Sequence, residues 1–425
     1  MTGEPLTDLE REVLDHLDED ALVESLIDLV RMPSVGGTDV EVEIQEHTAE
    51  LLRGLDTDVD RWDIDLEELR ADPWFPGEEV NRAAAVGVVG TTAGEGAPGL
   101  VLSGHLDVVP PGDVETWHGT DPFSAEIRDG ALYGRGACDM KGGVAANLAV
   151  VRTLRDAGVL LERPLAVHAV IGEEDGGLGA FATLRRGHRG DVAVITEPTG
   201  AKLITATAGA LTFRIEVTGR SAHGSMRKEG VSAWEAFLPV YRGLVDLEAE
   251  RNSRIDRDFV GEVPYALSFG ILQAGEWSSS VPDKLVAEGR FGVQIGEDPT
   301  AARIAFEDVV NDVAVKDPWL HDHRPVVTWP GGQFASGWLD EGHHLVDEMT
   351  AAVTALGKPS PVQAAGVYGS DLRLYTGVGG VPALHYGPGD FRMAHAPMEH
   401  VELEELADVT RALLVLAMRR CGAHR

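Results

Sequence analysis

Short, almost wholly apolar runs alternate with longer amphipathic stretches along much of this chain, and this alternation limits the fold more than any other feature. The apolar runs cover 86–89, 99–103, 164–171 and 191–196, and stretches with apolar residues at helical spacing cover 7–32, 39–55, 142–157 and 178–187. Strands buried on both faces read as nearly continuous apolar runs, and helices between them connect parallel neighbours. The pattern therefore predicts an α/β domain with a mostly parallel sheet.

A different pattern begins near residue 209. Apolar and polar residues alternate over 211–217, and further strands and helices are expected at 232–250, 266–273, 284–295, 299–315 and 325–329. The resulting order β-α-β-β-α-β is that of a ferredoxin-like α+β unit. The earlier pattern returns after 331, with expected elements at 340–356, 381–386 and 402–420. We predict a discontinuous α/β domain, 1–208 and 331–425, into which an α+β domain, 209–330, is inserted.

Length and composition agree with a two-domain globular protein. The chain has 425 residues, too many for one comfortable hydrophobic core. No apolar run approaches the roughly 18 residues that a membrane span needs, and the acidic N-terminal segment does not resemble a secretory signal. We therefore expect a cytoplasmic protein. Its two cysteines, Cys138 and Cys421, suggest no disulfide framework and are expected to be reduced and structural.

The chain is strongly acidic. It carries 36 Lys and Arg against 70 Asp and Glu, a formal net charge of −34. Such a surface is a poor partner for nucleic acid or anionic membranes, so we expect neither. Self-repulsion at low salt would be relieved by screening at high salt, which favours a halophilic protein over a moderately acidic cytosolic enzyme.

Five segments at or just after expected strand ends carry residues that bind metals. These are Ser-Gly-His-Leu-Asp-Val-Val-Pro with His105 and Asp107, Gly-Arg-Gly-Ala-Cys-Asp-Met-Lys-Gly-Gly with Asp139, Gly-Glu-Glu-Asp with Glu173 and Glu174, Thr-Glu-Pro with Glu197, and Met-Ala-His with His395. Alone, each has an ordinary structural explanation, such as a helix N-cap or acidic residues at a helix start. Together, two imidazoles and several carboxylates at the carboxyl ends of strands indicate a divalent metal site, with zinc the first choice.

These motifs, in this order, resemble the dinuclear zinc family of acetylornithine deacetylase, succinyl-diaminopimelate desuccinylase, aminoacylase and carboxypeptidase G. The resemblance covers most of the chain and implies two Zn²⁺ ions, with Co²⁺ or Mn²⁺ as possible substitutes. It implies that Asp139 bridges the ions, that His105 and Glu197 complete one site, and that Glu174 and His395 complete the other. Glu173 matches the general acid/base, and Asp107 matches a residue that supports the imidazole of His105.

The resemblance extends to the inserted domain. His223, in Gly-Arg-Ser-Ala-His-Gly-Ser, matches a lid histidine that stabilises an oxyanion, and Arg290, Ser370 and Arg373 match substrate-binding positions. The resemblance further implies that this domain forms a homodimer, with His223 reaching the partner's metals. Two segments depart from the family pattern: 278–280 is Ser-Ser-Ser where the family often has Asn, and Pro397-Met-Glu-His replaces a pattern ending Asp-Glu-Tyr.

The expected activity is hydrolysis of the amide bond of a small N-acyl amino acid. In this mechanism Glu173 takes a proton from a metal-activated water and passes it to the leaving amine. A dipeptidase or carboxypeptidase would use the same metal chemistry and remains an alternative. A non-catalytic metal-binding protein is a more remote one, because Glu173 and the whole ligand set are present.

Overall fold

The computed structural model describes residues 4–255 and 257–425. The chain forms two compact units. The first comprises Met1–Ala206, Trp338–Ala364 and Asp371–Arg425, and the second comprises Thr207–Gly337 and Ala365–Ser370. Residues 207–208, 331–337 and 365–370, which were expected in the α/β domain, thus group with the second unit.

Helices of the first unit lie near the predicted positions, except for the short helix Leu66–Ala71, which was not predicted. Their bounds are Asp8–Leu14, Glu19–Val30, Val40–Gly54, Leu66–Ala71, Gly142–Asp156, Leu178–Arg185, His344–Ala355 and Leu403–Cys421. The one long helix expected over 7–32 is two helices, because the Asp18 carboxylate accepts the amide hydrogen of Ala21 and starts a new helix there. The first of them begins with a capping box between Thr7 and Glu10.

The main sheet of the first unit is mixed. Its strands lie in the order Asp58–Asp63, Val86–Thr91, Leu165–Val170, Leu100–His105, Ala193–Ile195, Ala383–His385, Leu203–Thr207 and Gly337–Trp338, with Gln363–Gly366 also paired to Leu203–Thr207. The four central strands run parallel. Three strands outside them, Asp58–Asp63, Val86–Thr91 and Leu203–Thr207, pair antiparallel. The expectation of a mostly parallel sheet was therefore wrong for the outer strands. A continuous apolar run indicates burial and not strand direction: Val86–Thr91 is buried but antiparallel to both neighbours, and the half-exposed Asp58–Asp63 has no such run.

The core of the first unit lies on both faces of this sheet. Strands Leu100–His105 and Leu165–Val170 are buried at every residue, and the helices Gly142–Asp156 and Leu403–Cys421 pack in the same hydrophobic cluster. This burial explains why these strands read as continuous apolar runs. Small sheets complete the unit, with strands Glu126–Arg128, Ala131–Tyr133 and His400–Glu402, and Leu160–Leu161 with Ala423–His424.

The second unit is a layer of helices on an antiparallel sheet. The sheet order is Leu267–Ala274, Lys284–Val293, Gly209–Thr218 and Val326–Thr328, with Gln333–Phe334 also paired to Gly209–Thr218, and the helices are Ala233–Arg251 and Pro299–Lys316. Alternate residues of Gly209–Thr218 are buried, which accounts for the period of two in its sequence. A separate hydrophobic cluster, including Phe213, Phe237 and Phe306, forms the core of this unit.

Two further expectations concern cysteines and membranes. Cys138 and Cys421 are both buried and carry free thiols. Among the described residues, no helix combines the length and the apolar character that crossing a bilayer would require.

Candidate metal centre

Three neighbouring parallel strands deliver the first candidate ligands. His105 is the last residue of Leu100–His105, which lies between the parallel strands Leu165–Val170 and Ala193–Ile195. Glu173 and Glu174 follow one neighbour, and Glu197 follows the other. Because the carboxyl ends of parallel strands meet at one edge of a sheet, side chains far apart in sequence come together here.

Asp139 joins them from the turn before the helix Gly142–Asp156. Its backbone conformation is held by Glu399, a fully buried residue whose Oε1 accepts the amide hydrogens of Gly136 at 2.9 Å, Cys138 at 3.0 Å and Asp139 at 3.0 Å. The helix start packs closely on a strand end, since a Cβ on Gly143 would lie 2.1 Å from the carbonyl oxygen of Thr196. The turn therefore requires both a buried acceptor and a glycine.

His395 comes from the loop after the short helical turn Phe391–Met393. Arg135 links this loop to the Asp139 turn: it donates a hydrogen bond of 3.1 Å to the carbonyl oxygen of His395 and forms a buried ion pair with Glu399. One ion pair thus holds the backbone around two candidate ligands.

The distances describe two adjoining half-sites that share one carboxylate. Asp139 Oδ1 lies 3.1 Å from His105 Nε2, whereas Asp139 Oδ2 lies 3.6 Å from His395 Nε2. His395 Nε2 also lies 2.9 Å from Glu174 Oε2, and His105 Nε2 lies 3.9 Å from Glu197 Oε2. Donor atoms of two groups, His105 with Glu173 and Glu197, and His105 with Asp139 and Glu174, each fall within 4.8 Å of one another.

The cluster is electrostatically costly without cations. Burial raises the pKa of the Glu173 carboxyl well above its usual range, and the charge of Glu197 adds to the rise. Burial also raises the pKa of Glu197 and of Glu174. The hydrogen bond to Glu174 raises the pKa of His395 to about 9, because a nearby carboxylate favours the imidazolium. Bound cations would replace these protons as the partners of the carboxylates.

The residues present fit a pair of divalent metal ions. Imidazole and carboxylate donors suit zinc and similar ions. The two oxygens of Asp139 face different imidazoles, as expected of a carboxylate that bridges two ions. Asp139 with His105 and Glu197 could hold one ion, and Asp139 with Glu174 and His395 could hold the other.

Asp107 makes contacts that differ from the expected ones. The hydrogen-bond partner of His105 Nδ1 is the main-chain carbonyl of Asp107 at 2.9 Å, while the nearer carboxylate oxygen lies 3.6 Å away. The carboxylate instead accepts the amide hydrogens of Glu173 at 3.3 Å and Glu174 at 3.2 Å. Asp107 therefore orients the imidazole through its backbone and the Glu173–Glu174 backbone through its side chain.

Three residues assigned by resemblance lie in the second unit. His223 is exposed, and its Nδ1 contacts Ser225 Oγ at 2.8 Å and accepts the Ser225 amide hydrogen at 3.2 Å. Arg290 donates to the carbonyl oxygen of Val367 at 2.8 Å. The buried Ser370 hydroxyl lies 3.4 Å from the Thr207 hydroxyl. Their roles toward a substrate remain predictions.

Arg373 belongs to the first unit and is buried against the loop that carries Glu173. Its guanidinium donates to the carbonyl oxygen of Gly176 at 2.6 Å. Burial lowers the pKa of Arg373 to about 10, with the charges of Asp371 and Glu173 opposing the shift. The structure therefore places Arg373 near Glu173, the candidate base. The sequence suggested a site role for Arg373 only through the resemblance.

Several residues around the site were missed by sequence analysis. Glu399 lies in the segment Pro397-Met-Glu-His, yet nothing in the sequence indicated that its carboxylate accepts three backbone amides. Arg135 is the arginine of Gly-Arg-Gly, a tripeptide that by itself indicates only a flexible turn. The one available signal was position in the sequence: Arg135 precedes Asp139 by four residues, and Glu399 follows His395 by four.

The chain matches the model of Peptidase family M20/M25/M40 over residues 101–419. It is 29% identical to the N-formyl-4-amino-5-aminomethyl-2-methylpyrimidine deformylase of Bacillus subtilis (strain 168), and the match covers 97% of each chain. It is 27% identical to a probable succinyl-diaminopimelate desuccinylase of Staphylococcus aureus (strain MRSA252), over 89% of this chain and 92% of that protein.

Solved structures share the fold at low sequence identity. A di-peptidase from Saccharomyces cerevisiae matches with a TM-score of 0.77 at 14% identity, covering 98% of this chain and 99% of that one. A tripeptidase from Staphylococcus aureus subsp. aureus mu50 matches with a TM-score of 0.73 at 20% identity, covering 96% and 99%. The family model covers well over half of the chain, and the chain therefore belongs to Peptidase family M20/M25/M40 and is a metal-dependent hydrolase of amide bonds.

Proposed function

We propose that this hydrolase removes the acyl group from a small N-acylated amino acid or amine at a dinuclear zinc centre. The observation that carries this proposal is a pair of half-sites that share Asp139, one with His105 and Glu197 and one with Glu174 and His395. Glu173 is a further buried carboxylate within reach of the His105 group, and we assign it the proton transfer. The proposed ligands are His105, Asp139, Glu174, Glu197 and His395.

When bound, the ions would lower the pKa of a water molecule and polarise the substrate carbonyl. Glu173 accepts the proton of that water and delivers it to the nitrogen of the leaving amine. Asp107 keeps the Glu173 backbone in position by accepting its amide hydrogen. In this proposal His223 stabilises the oxyanion, and Arg290, Ser370 and Arg373 contact the substrate.

The relatives guide the choice of acyl group. One is named a deformylase of an N-formylated aminomethylpyrimidine, and another a probable desuccinylase of succinyl-diaminopimelate. Formyl, acetyl and succinyl amides are therefore the first substrates to try. A dipeptidase or carboxypeptidase would need the same cluster and the same proton carrier, so dipeptides and acyl dipeptides are the competing class.

The test is an amine-release assay on the chelator-treated protein with Zn²⁺ or Co²⁺ added back, in low and high KCl. Substrates are N-formyl, N-acetyl and N-succinyl amino acids, the N-formyl aminomethylpyrimidine, and unblocked dipeptides. We expect turnover of at least one acyl compound, lost with chelator and restored by metal. Turnover of dipeptides with none of any acyl compound would favour the peptidase alternative.

We further propose that the second unit forms a homodimer through its sheet edge. The edge strand Leu267–Ala274 is exposed over most of its length, and Ile271 and Leu272 are about half exposed. An exposed apolar edge strand is a natural pairing site for a second copy. The nearby Trp277, 73% exposed, enlarges the apolar surface that a partner could cover.

A cytoplasmic, high-salt setting completes the proposal. The support is the net charge of −34 together with six lysines in the whole chain. Screening of such a surface favours the folded state as ionic strength rises.

A further inference from the structure

The loop Gly172–Gly177, called the base loop below, carries both Glu173 and Glu174. Its third acidic residue, Asp175, belongs to neither donor group and pairs with a buried arginine, Arg82. Arg82 Nη1 donates to Asp175 Oδ2 at 2.9 Å, and Nη2 donates to Asp175 Oδ1 at 2.8 Å. Arg82 is separated from Asp175 by 93 positions in the chain, so this contact depends wholly on the tertiary structure.

The same guanidinium forms a second fork with Glu41. Nε donates to Glu41 Oε2 and Nη2 to Glu41 Oε1, both at 2.9 Å. The side chains of Arg82 and Glu41 are each 1% exposed. Arg82 therefore connects the helix Val40–Gly54 to the base loop with two bidentate, charge-assisted contacts.

Both oxygens of the Asp175 carboxylate are engaged by donors. Besides the contacts with Arg82, its Oδ2 accepts the amide hydrogens of Glu79 at 3.0 Å and Val80 at 3.1 Å. Without these contacts, a carboxylate next to Glu174 could itself bind a cation, because carboxylate oxygens are common ligands of divalent ions. The fork with Arg82 keeps this oxygen pair out of the cluster.

Stability alone does not account for this network. Two carboxylates and one guanidinium are withdrawn from water, and well-packed apolar residues of similar volume are often as stabilising as a buried ion pair. The base loop also depends on glycines at positive φ, Gly172 at 69° and Gly177 at 87°, which leave its backbone free to take other conformations. A rigid contact at Asp175 would restrict that freedom one residue from Glu174.

We propose that Arg82 is a positioning residue for the hydrolysis, acting through Asp175 to aim Glu173 and Glu174. This inference rests on the proposed function for its catalytic part. Glu41 differs from Asp175, because its hydrogen bonds go to Arg82 and to the amide of Gly37 rather than to a residue of the base loop. Loss of the Asp175 fork should therefore matter more to the reaction than loss of the Glu41 fork.

The test compares full-length variants Arg82→Lys, Asp175→Asn and Glu41→Gln. Lysine keeps the charge but cannot form a fork. The matched control is Arg251→Lys in the second unit, where a buried arginine also pairs through two nitrogens with one carboxylate, that of Glu297. For each variant kcat, KM, the affinity for Co²⁺ by calorimetry, and the urea midpoint are measured.

We expect Arg82→Lys and Asp175→Asn to lower kcat by roughly 10- to 100-fold with little change in KM, since small misplacement of reacting groups costs about that much. In these two variants, the more weakly bound of the two Co²⁺ ions should bind roughly 10- to 100-fold less tightly than in the unmodified protein. Glu41→Gln, which weakens the anchor of Arg82, should lower kcat and Co²⁺ affinity less than Asp175→Asn does. Arg251→Lys should lower the urea midpoint with kcat and Co²⁺ affinity near those of the unmodified protein.

Equal kcat and Co²⁺ affinity in Asp175→Asn and Arg251→Lys would overturn the inference. If Arg82→Lys does not fold, the contrast between Asp175→Asn and Glu41→Gln decides the matter in the same way. If the unmodified protein hydrolyses no substrate, the proposed function fails, but the Co²⁺ affinities still test whether Arg82 positions the ligand Glu174.

Discussion

Glu173 and Glu174 are adjacent in sequence but have different neighbours. Glu174 Oε2 lies 2.9 Å from His395 Nε2, whereas the carboxylate of Glu173 groups with His105 and Glu197. Both backbone amides are held by Asp107, so the difference lies in the side chains. Both carboxylates lie within reach of a donor group, and the proposed function assigns metal binding to Glu174 and proton transfer to Glu173.

The first prediction is that Glu173→Gln keeps close to two metal equivalents and loses most turnover. The amide has the shape of the carboxylate but cannot accept a proton, and general-base catalysis contributes about 10²- to 10⁴-fold. Metal content by elemental analysis and kcat on the best acyl substrate measure the two effects. The control, Glu174→Gln, should instead lose metal. Turnover near the unmodified level in Glu173→Gln would rule out its role as base.

The second prediction concerns Glu399, which is 0% exposed. Glu399→Ala should lower the free energy of unfolding by about 3–5 kcal/mol, because it leaves the buried Arg135 charge without its partner. It should also weaken Co²⁺ binding, since three amides of the Asp139 turn lose their acceptor. Urea unfolding and calorimetry measure these effects.

The control for Glu399 is a surface ion pair. Arg163 and Asp191 are 37% and 43% exposed, so Arg163→Ala should cost no more than about 1 kcal/mol. Similar losses of unfolding free energy in the two variants would contradict the view that the buried pair supports the site.

At the scale of elements, the two edges of the second sheet differ. Leu267–Ala274 is an eight-residue edge strand with exposed apolar side chains, and Val326–Thr328 at the opposite edge has three residues. Short edges offer few hydrogen bonds to a partner. The longer edge is therefore the one through which we expect dimers to form.

The third prediction is that Ile271→Lys shifts the protein from dimer to monomer. A lysine on an edge strand opposes pairing between sheets, and each 1.4 kcal/mol lost raises the dissociation constant about tenfold. Sedimentation velocity over a dilution series at high KCl measures the shift. Val326→Lys at the short edge, where Val326 is 57% exposed against 46% for Ile271, should leave the dimer intact. A dimer unchanged by Ile271→Lys would exclude this edge.

For the whole molecule, net charge leads to the fourth prediction. The melting temperature should rise as KCl increases from about 0.01 M to 1 M, where the Debye length falls from about 30 Å to 3 Å. The reason is self-repulsion among the excess of 34 negative charges. NaCl at the same ionic strength is the control, since equal screening should give a similar rise. A melting temperature that stays flat or falls with KCl would reject a halophilic protein.

The fifth prediction is that His223 of one subunit acts at the metal centre of the other subunit in a dimer. If His223 acts on the partner's metal centre, inactive Glu173→Gln mixed with inactive His223→Ala should regain activity, because one site of each mixed dimer has both groups. Subunit exchange is verified with differently tagged copies, and each variant mixed with itself is the control. A mixture that stays inactive despite exchange would contradict action across the dimer.

The sequence was sufficient for the order of the buried strands and long helices and for naming the candidate ligands. Local periods of hydrophobicity record burial directly, so the amino-acid sequence alone indicates the strand Leu165–Val170 and the alternation in Gly209–Thr218. It also indicates where the apolar strands end. Because the ends of neighbouring parallel strands lie together, His105, Glu173 and Glu197 were expected to be close to one another. Half-exposed edge strands carry no such signal, and Asp58–Asp63 was missed for that reason.

The tertiary structure alone decided which groups hold the candidate ligands in place. Glu399 accepts amides some 260 positions earlier, and Arg82 reaches a carboxylate 93 positions later. The Asp107 carboxylate likewise bonds to backbone amides 66 and 67 positions away rather than to the nearby imidazole. A sequence records local propensity and burial, whereas hydrogen bonds between distant residues depend on the path of the folded chain.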